Sequence, residues 1–313
     1  MPDPAVALDL QQVNRNLERF HQQAAAAGCV VRAHTKAHRT TELTTLQVSA
    51  GSVGAAVINA RAAIGLAAAG ITDVVVAWPW PEPWRWPLYV EAADRLDRFA
   101  VHVDQAETIR GLGALAVGAG TEIGVRIDVR HTGEDGVLPL ARLAAETPGI
   151  LLDGVTGYPA PESRADIDDR AALGRRHARM LVDLAEQIRA EGIDCQVVSA
   201  GGTPTAEAAM DVPGITEVVA GAYSTLDAGL AAIGACGLDE VAISVSAAHA
   251  DLLDGCHQPW DPEAGPVLAG DRLLPAHICP LAKTLMRRGI GFTVLYDGRP
   301  VDHWQPIGTP DRA

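Results

Sequence analysis

The sequence predicts an α/β protein in which a (β/α)8 TIM barrel is joined to a second, smaller β domain. Short β-branched runs alternate with Ala- and Leu-rich helical segments over the first two thirds of the chain, and eight such runs begin before residue 225. The alternation stops after Tyr223, where shorter strand-like pieces begin. A doubly wound open sheet would show the same alternation of strands and helices, and it is the count of eight strands that favours the barrel. We therefore expect the barrel over 10–225 and the β domain over 226–313.

The predicted barrel strands are nearly continuous apolar runs. Val74-Val75-Val76-Ala77, for example, lacks any polar alternation, which is typical of a parallel sheet covered on both faces. We predict strands at Val30–Lys36, Ser52–Ile58, Asp73–Trp78, Phe99–Asp104, Glu122–Asp128, Leu151–Tyr158, Cys195–Ala200 and Glu217–Tyr223. We predict helices at Leu10–Gly28, Thr40–Ala50, Ala60–Ala69, Pro83–Arg95, Gln105–Gly118, Pro139–Glu146, Asp168–Glu191 and Thr205–Asp211.

The last third of the chain has a different pattern. Short strand-like pieces occur at Val241–Val245, Arg272–Leu274 and Gly291–Tyr296, and turn sequences such as Ala269-Gly270-Asp271 lie between them. We expect these pieces to form a compact β domain, which the N-terminal strand at 4–9 would also join.

Composition restricts the classes of function. The chain has 313 residues, of which 48% are hydrophobic and 20% charged, as in ordinary globular proteins. Its net charge of −14 argues against a nucleic-acid partner. No apolar run is long enough to span a membrane, and Met1-Pro2-Asp3 does not begin like a signal sequence. The five scattered cysteines fit a reducing compartment. We expect a cytoplasmic protein that acts on a small molecule.

The first predicted barrel strand ends in a basic segment, Val31-Arg32-Ala33-His34-Thr35-Lys36-Ala37-His38. On an extended strand, four basic or titratable side chains would share one face: Arg32, His34, Lys36 and His38. Their charges would disfavour protonation of Lys36, and an unprotonated lysine is the nucleophile that a Schiff base requires. A solvated basic edge strand explains the same spacing equally well.

Glycines follow the last two predicted barrel strands. Ser199-Ala200-Gly201-Gly202-Thr203-Pro204-Thr205 comes after the seventh strand, and Val219-Ala220-Gly221-Ala222-Tyr223 lies at the end of the eighth. Glycines let backbone N–H groups approach an anion, and these two loops often bind phosphate in barrels. A Gly-Gly-Thr turn alone is usually just a tight connection, and its position after the seventh predicted strand is what strengthens the phosphate interpretation.

Two further segments contain residues suited to a binding site. His277 and Cys279 are two residues apart, and on a strand or extended turn both would face one way, as two ligands of a Zn²⁺ ion do. A buried cysteine beside an unliganded histidine is the alternative. The run from Trp78 to Pro87 holds four tryptophans, and we interpret it as a lid at the barrel mouth or as a loop packed on a neighbouring subunit.

Together, these segments resemble the D-serine dehydratase and D-threonine aldolase group, pyridoxal-phosphate enzymes that share a barrel-plus-β-domain fold with alanine racemase. The segment from Arg32 to His38 resembles the family's Arg-Pro-His-x-Lys-x-His signature. The resemblance implies that Lys36 carries the cofactor, with His34 beside it. Residues 275–279 resemble the family's Pro-Asn-His-x-Cys zinc site, which implies His277 and Cys279 as metal ligands.

The glycine loops also resemble the family's phosphate-binding loops. The resemblance implies a homodimer and a set of cofactor-binding residues in those loops. These residues are Ser199, Gly201, Gly202, Thr203, Gly221 and Tyr223.

Departures from the family pattern concern the substrate side. The segment 128–137 is one residue longer than its family counterpart, and its arginine is out of register. Tyr158, which the resemblance puts near the pyridine ring, is followed by proline and lacks the family's neighbouring histidine. Both carboxylates of a Ser-Glu-Glu-His-Gly segment are missing at 246–250, and the β domain is some tens of residues short between Tyr223 and Ser246.

The expected function is that of a pyridoxal-phosphate- and zinc-dependent lyase of the D-serine dehydratase type, acting on a D-β-hydroxy amino acid. Lys36 would be the general base at Cα, and zinc would assist departure of hydroxide. Aldolase-type cleavage, racemisation and a non-catalytic cofactor carrier are the alternatives. Racemisation needs a second base, for which the candidates are His131, His249 and Tyr158. Five histidines without motif context are expected to be surface or structural residues: His21, His102, His177, His257 and His303.

Overall fold

The computed structural model describes residues 4–159, 161 and 163–307. Eight parallel strands form a closed barrel, which confirms the predicted fold class. The first strand of the chain, β1 (Val6–Asp9), lies in a second sheet. The barrel strands are β2 (Val30–His34), β3 (Ala55–Val57), β4 (Asp73–Val76), β5 (Arg98–Val103), β6 (Ile123–Asp128), β7 (Ile150–Gly157), β8 (Val197–Gly201) and β9 (Glu217–Ala220).

Helices alternate with the strands, as the sequence predicts. They are α1 (Leu10–Ala26), α2 (Thr41–Ser49), α3 (Ala60–Ala68), α4 (Trp86–Arg95), α5 (Ala106–Ala119), α6 (Val129–Thr132), α7 (Glu134–Glu146), α8 (Arg164–Asp168), α9 (Arg170–Ala190), α10 (Ala206–Met210), α11 (Ala228–Ala232) and α12 (Ile278–Arg288). Short 3-10 helices occupy Thr35–Ala37, Pro83–Arg85, Leu238–Glu240 and Ala247–Leu253. No described helix combines the length and the apolar character needed to cross a membrane.

Side-chain caps explain where several helices begin. The Asp9 carboxylate accepts hydrogen bonds from the backbone of Gln11 and Gln12 at the start of α1, and Asn59 caps α3 in the same way. The start that differs most from the prediction is that of α7, which begins at Glu134 and contains Pro139, the residue that we expected to be its first. Acidic residues in its first turn favour the earlier start.

The barrel closes between its first and last strands. β2 pairs with β9 in parallel, with Val31 opposite Val218 and Ala33 opposite Ala220. Small and β-branched residues fill the wall, and Ala55 and Val74 are fully buried. All strands of a parallel barrel point the same way, so their carboxyl ends and the loops that follow lie at one mouth.

The second sheet has six strands, in the order β11-β12-β10-β1-β13-β14. Its remaining strands are β10 (Ile243–Ser246), β11 (Val267–Ala269), β12 (Arg272–Leu274), β13 (Phe292–Tyr296) and β14 (Arg299–Trp304). The N-terminal strand β1 lies inside this sheet, antiparallel to β10 and parallel to β13. The sheet therefore joins the two ends of the chain, as the sequence predicts, and we retain the boundary at residues 225 and 226 as a proposal.

A helix in the second domain was not predicted. α12 follows β12, and its buried face consists of residues at helical spacing, Ile278, Leu281, Ala282 and Leu285. Gly289 ends it in the left-handed conformation, with φ at 65°. We expected only strands and turns here, because the apolar repeat spans just two turns between prolines and glycines.

Candidate active site

A cavity of about 500 Å³ opens at the carboxyl ends of the barrel strands. Loops after six barrel strands contribute to it, and the second domain covers one side with residues around 257–260 and the first turns of α12. Among the predicted site residues, nine line this cavity. They are His34, Lys36, Tyr158, Gly201, Gly202, Thr203, Gly221, His277 and Cys279.

Lys36 lies just beyond the end of β2. The strand stops at His34, and residues Thr35–Ala37 form a 3-10 turn whose backbone the His34 imidazole caps, with Lys36 N donating to Nδ1 at 3.3 Å. The Lys36 side chain is exposed and borders the cavity. Burial, together with the charge of Lys36, holds the pKa of His34 well below its usual value, so this imidazole is neutral near pH 7.

The predicted common face of four basic groups does not form, because the chain turns after His34. The Arg32 side chain points into the barrel, where it donates to the carboxylates of Asp73 (2.7 Å) and Glu217 (2.8 Å). His38 is buried away from the cavity, and its ring nitrogens lie 3.2 Å from Thr40 Oγ1 and 3.0 Å from Gln47 Oε1. Only His34 and Lys36 of the four border the cavity.

The glycine loops form a side of the cavity that is poor in side chains. At Gly202, where φ is 100°, a Cβ atom would lie 2.2 Å from the Tyr158 ring. A Cβ on Gly221 would lie 2.6 Å from the carbonyl oxygen of His34. Only glycine therefore permits these contacts. The Gly202 N–H donates to the Val219 carbonyl oxygen at 2.8 Å, so it is already used within the barrel.

Two of the predicted cofactor-binding residues have side chains elsewhere. The Ser199 hydroxyl donates to Glu217 at 2.8 Å inside the barrel. Tyr223 stacks on Phe20 with ring centroids 4.4 Å apart, and its hydroxyl lies 3.2 Å from Ser52 Oγ. The resemblance implied only that both residues bind the cofactor, and it did not indicate where their side chains lie. Ser199 on β8 and Tyr223 in the turn after β9 both have their side chains in packed protein, an orientation that a loop motif alone does not reveal.

Tyr158 follows β7 and contacts the glycine loop. Burial raises the pKa of its phenol to about 12, with a smaller contribution from Cys279, so the hydroxyl keeps its proton at neutral pH. The Arg130 guanidinium lies over the ring, 5.7 Å from its centroid. Tyr158 is therefore a potential hydrogen-bond donor within the cavity.

A cluster of two imidazoles and a carboxylate lies across the barrel from Lys36. Asp128 ends β6, the strand diametrically opposite β2 in the ring of eight. His102 Nδ1 lies 3.3 Å from one Asp128 oxygen, and His131 Nδ1 lies 3.2 Å from the other. Although burial opposes it, bonding to His102 and His131 holds the pKa of Asp128 below its usual value. His131 also contacts the Trp78 ring, which borders the cavity.

His102 is a site residue that the sequence did not reveal. We expected a surface or structural histidine, yet it is 8% exposed, borders the cavity, and its Nε2 has no partner among the described residues. Its only signal was its place two residues before the end of a predicted strand. His249, a candidate second base, is exposed and does not border the cavity. His177 packs beneath Gly157, behind the cavity wall.

His277 and Cys279 border the cavity from the second domain, at the start of α12 and not on a strand. His277 Nδ1 lies 3.0 Å from the His257 carbonyl oxygen, which leaves Nε2 for another ligand. Burial lowers the pKa of His277 to about 4 and raises that of Cys279 to about 11, the latter opposed by Lys36. The described residues contain no cluster of three or more His, Cys, Asp or Glu side chains suited to a metal.

Comparisons with known proteins agree with this architecture. The model for the alanine racemase N-terminal domain matches residues 8–228. D-threo-3-hydroxyaspartate dehydratase of Delftia sp. (strain HT23) is 32% identical over 253 residues, which cover 78% of this chain and 66% of that enzyme. D-threonine aldolase of Arthrobacter sp. is 29% identical over 232 residues, with coverage of 72% and 61%. The chain thus spans less than two thirds of the length of these relatives.

Solved structures share the whole fold. The dehydratase of Delftia sp. HT23 superposes with a TM-score of 0.84 at 24% identity, covering 99% of this chain and 98% of that one. An alanine racemase of Clostridium difficile 630 gives 0.69 at 12% identity, covering 97% and 98%. Since the family model matches well over half of the chain, including all eight barrel strands, this chain belongs to the alanine racemase N-terminal domain family.

Proposed function

We propose that this chain is a pyridoxal-phosphate- and zinc-dependent lyase that removes water from a D-configured β-hydroxy amino acid. One observation carries the proposal. The amine of Lys36, the glycine loops and the pair His277 and Cys279 all border one cavity. The relatives named above are a dehydratase and an aldolase of such substrates, which supports the same class of reaction.

The residues of the cavity fit pyridoxal phosphate. Lys36 is one of only two lysines in the chain, and its side chain is exposed. Gly202 and Gly221 border the cavity without side chains, and the Thr203 hydroxyl beside them is a donor for a phosphate group.

The pair His277 and Cys279 fits zinc. A neutral imidazole with a free Nε2 and a thiol are ligands that zinc prefers, and two protein ligands leave positions for substrate oxygens. One solved structure of a D-threo-3-hydroxyaspartate dehydratase is a Cys-to-Ala variant in a metal-free form, and another is a His-to-Ala variant. The two substituted positions are two residues apart, the same spacing as here.

When bound, pyridoxal phosphate would supply an electron sink for the bond broken at Cα, and zinc would neutralise charge on the departing oxygen. Lys36 is the base beside that carbon and takes its proton. Tyr158 keeps its proton at neutral pH, so its hydroxyl is available to donate a hydrogen bond to a group bound in the cavity. Trp78 borders the cavity and remains 41% exposed.

Cationic side chains near the proposed metal pair favour a substrate with two carboxylates. Three cationic side chains besides Lys36 border the cavity, Arg39, Arg130 and Lys283. Two of them lie close to the proposed metal pair. Lys283 lies one helical turn after Cys279 on α12, and Arg39 is close enough to Cys279 to interact with it electrostatically. We therefore favour D-threo-3-hydroxyaspartate over D-serine as the substrate, in line with the name of the Delftia relative.

The test begins with the absorption spectrum of the purified protein after loading with pyridoxal phosphate. Borohydride should trap the cofactor on Lys36, and Lys36→Ala should abolish trapping while Lys283→Ala retains it. Zinc-loaded enzyme is then incubated with D-threo-3-hydroxyaspartate, D-serine and D-threonine. Release of ammonia and oxaloacetate supports the dehydratase, and glycine formation from these substrates shows an aldolase instead. A loaded enzyme that releases neither ammonia nor glycine from any of them would overturn the lyase proposal.

Racemisation remains the second candidate, because the cluster of His102, Asp128 and His131 lies across the barrel from Lys36. Two bases on opposite faces of Cα are what racemisation requires. Incubating a single alanine or serine enantiomer in deuterated water distinguishes the two reactions. Deuterium at Cα with loss of optical activity supports a racemase, whereas ammonia release without racemisation excludes it.

A further inference from the structure

A carboxylate is buried behind the proposed metal pair. Asp227 is 0% exposed, and none of the salt bridges among the described residues includes it. One of its oxygens accepts hydrogen bonds from Leu230 N (2.9 Å) and Gln258 Nε2 (3.0 Å). The other accepts from Ile278 N at 3.1 Å. Burying an acidic group without a cationic partner is unfavourable, so these hydrogen bonds are what retains it there.

The bond to Ile278 is the one closest to the metal pair. Ile278 lies between His277 and Cys279, so its backbone sets the directions of both side chains. The Asp227 oxygen accepts the first N–H of α12, which has no partner inside the helix. In this way a single carboxylate joins the start of α11, which it caps, to the start of α12.

Gln258 completes the connection from the other side. It is 2% exposed, and its Nε2 donates both to Asp227 and to the carbonyl oxygen of Ala276 at 3.1 Å. The neighbouring His257 carbonyl lies 3.0 Å from His277 Nδ1. The loop that holds Gln258 therefore contacts the backbone just before His277 and the imidazole itself.

Backbone pairing extends the same arrangement. Ala228 N donates to Pro275 O at 2.9 Å, and Gly229 N donates to Ala276 O at 3.2 Å. A Cβ on Gly229 would lie 2.3 Å from Ala276 O and 2.5 Å from Gln258 Cγ, so only glycine allows this approach. Residues 275–278 are thus held along their backbone by residues 227–229 and 258.

We infer that Asp227 and Gln258 are positioning residues that orient His277 and Cys279 for a metal ion. This inference rests on the proposed function, because it assumes that the pair binds metal. Two protein ligands constrain an ion poorly, so the backbone that carries them has to be fixed before the ion arrives. Loss of such supporting hydrogen bonds typically weakens metal binding about 10- to 100-fold.

The test is a Co²⁺ titration of the pyridoxal-phosphate-loaded protein after its metal has been removed with a chelator. Co²⁺ bound to the Cys279 thiolate gives a near-ultraviolet charge-transfer band that reports the ligand directly and does not depend on turnover. Asp227→Asn and Gln258→Ala should each raise the dissociation constant for Co²⁺ about tenfold or more and weaken this band at saturation. Asp251→Asn is the matched control. Asp251 is exposed and accepts a hydrogen bond from Arg288, which lies on α12, the helix that carries Cys279.

The outcomes separate the inference from the proposed function. If folded Asp227→Asn and Gln258→Ala bind Co²⁺ as tightly as the parent protein, with an unchanged band, the positioning role is overturned while the metal site stands. If the parent protein shows no band, or if Cys279→Ala keeps it, the metal site itself fails and the positioning role fails with it. Gln258→Ala decides the matter alone should Asp227→Asn not fold, because it leaves the Asp227 cap on α11 in place.

Discussion

His38 is a neutral imidazole held in a buried site between Thr40 and Gln47. Burial lowers its pKa from 6.5 to about 4, opposed by the bond to Gln47. A lowered folded-state pKa means that the unfolded chain binds the proton first. The contribution of His38 to stability is therefore complete above about pH 6.5 and is lost as the pH falls towards 4.

We expect the parent protein to lose about 2 kcal/mol more unfolding free energy than His38→Gln between pH 7.5 and pH 5. Glutamine bonds the same neighbours but does not titrate. Urea unfolding of both proteins at several pH values measures the difference. Parallel stability curves for the two proteins would show that His38 is not the titrating group.

Gly202 provides a second residue-scale prediction, because both its φ of 100° and the Tyr158 ring exclude a Cβ. Gly202→Ala should displace the ring or the loop and weaken pyridoxal phosphate binding at least tenfold, as a strain of about 1–2 kcal/mol in a binding loop implies. An absorption titration with pyridoxal phosphate measures this. Gly120→Ala is the control, since Gly120 has φ at 69° with open space around it at the end of α5. Equal cofactor affinity in both variants would contradict the prediction.

Single residues also show how far the sequence could be interpreted. Lys36 and Gly202 both border the cavity, and local sequence was enough to single them out, as a lysine in a motif and a glycine in a turn. Arg32 and His38 were misplaced because strand alternation was extended through Lys36, whereas the strand ends at His34. The end of a strand depends on its pairing with neighbouring strands that lie far away in the sequence. The motif alone therefore does not reveal where the strand ends.

At the scale of elements, the barrel interior is joined by an ionic network across its strands. Glu217 on β9 accepts from Arg32 on β2 at 2.8 Å, from Arg126 on β6 at 2.5 Å and from Ser199 on β8 at 2.8 Å. Attraction to both arginines outweighs burial and holds the pKa of Glu217 far below its usual value. The sequence did not reveal this network, because its members are up to 185 residues apart.

Glu217→Gln should reduce the free energy of unfolding by about 3 kcal/mol, because it leaves two buried guanidinium groups with one carboxylate each. Urea unfolding at pH 7 measures the loss. Glu191→Gln, which removes the exposed partner of Arg142, should change stability little. A loss no larger than that of the control would mean that the interior network is not stabilising.

Helix α12 carries the next prediction, since Cys279 and Lys283 lie one turn apart on it and both border the cavity. Lys283→Ala should raise KM for D-threo-3-hydroxyaspartate roughly tenfold and leave KM for D-serine nearly unchanged, because only the first substrate has a second carboxylate. Lys283→Arg should retain most of the affinity. Equal changes for both substrates would show that Lys283 does not recognise that carboxylate.

At the scale of the whole molecule, the start of the chain belongs to both structural units. β1 lies inside the second sheet, and α1 follows it directly and packs on the barrel. Asn16 on α1 donates to the carbonyl oxygens of Ser224 and Glu240, at the junction between barrel and sheet. The sequence indicated that β1 would join the second sheet. It did not indicate that the buried Asn16 amide would form hydrogen bonds at the junction between the barrel and the sheet.

Because of this shared element, the barrel and the sheet should unfold together. Leu8 on β1 is 1% exposed and lies opposite Ile243 and Val294. Leu8→Ala should reduce the free energy of unfolding by about 2–5 kcal/mol. The unfolding temperature should fall by the same amount whether it is measured by circular dichroism or by release of pyridoxal phosphate from the barrel. Val301→Ala, at a position 55% exposed on β14, should stay within about 0.5 kcal/mol. If circular dichroism shows an early transition in Leu8→Ala while the cofactor is still released at the parent temperature, the two units unfold independently and β1 does not couple them.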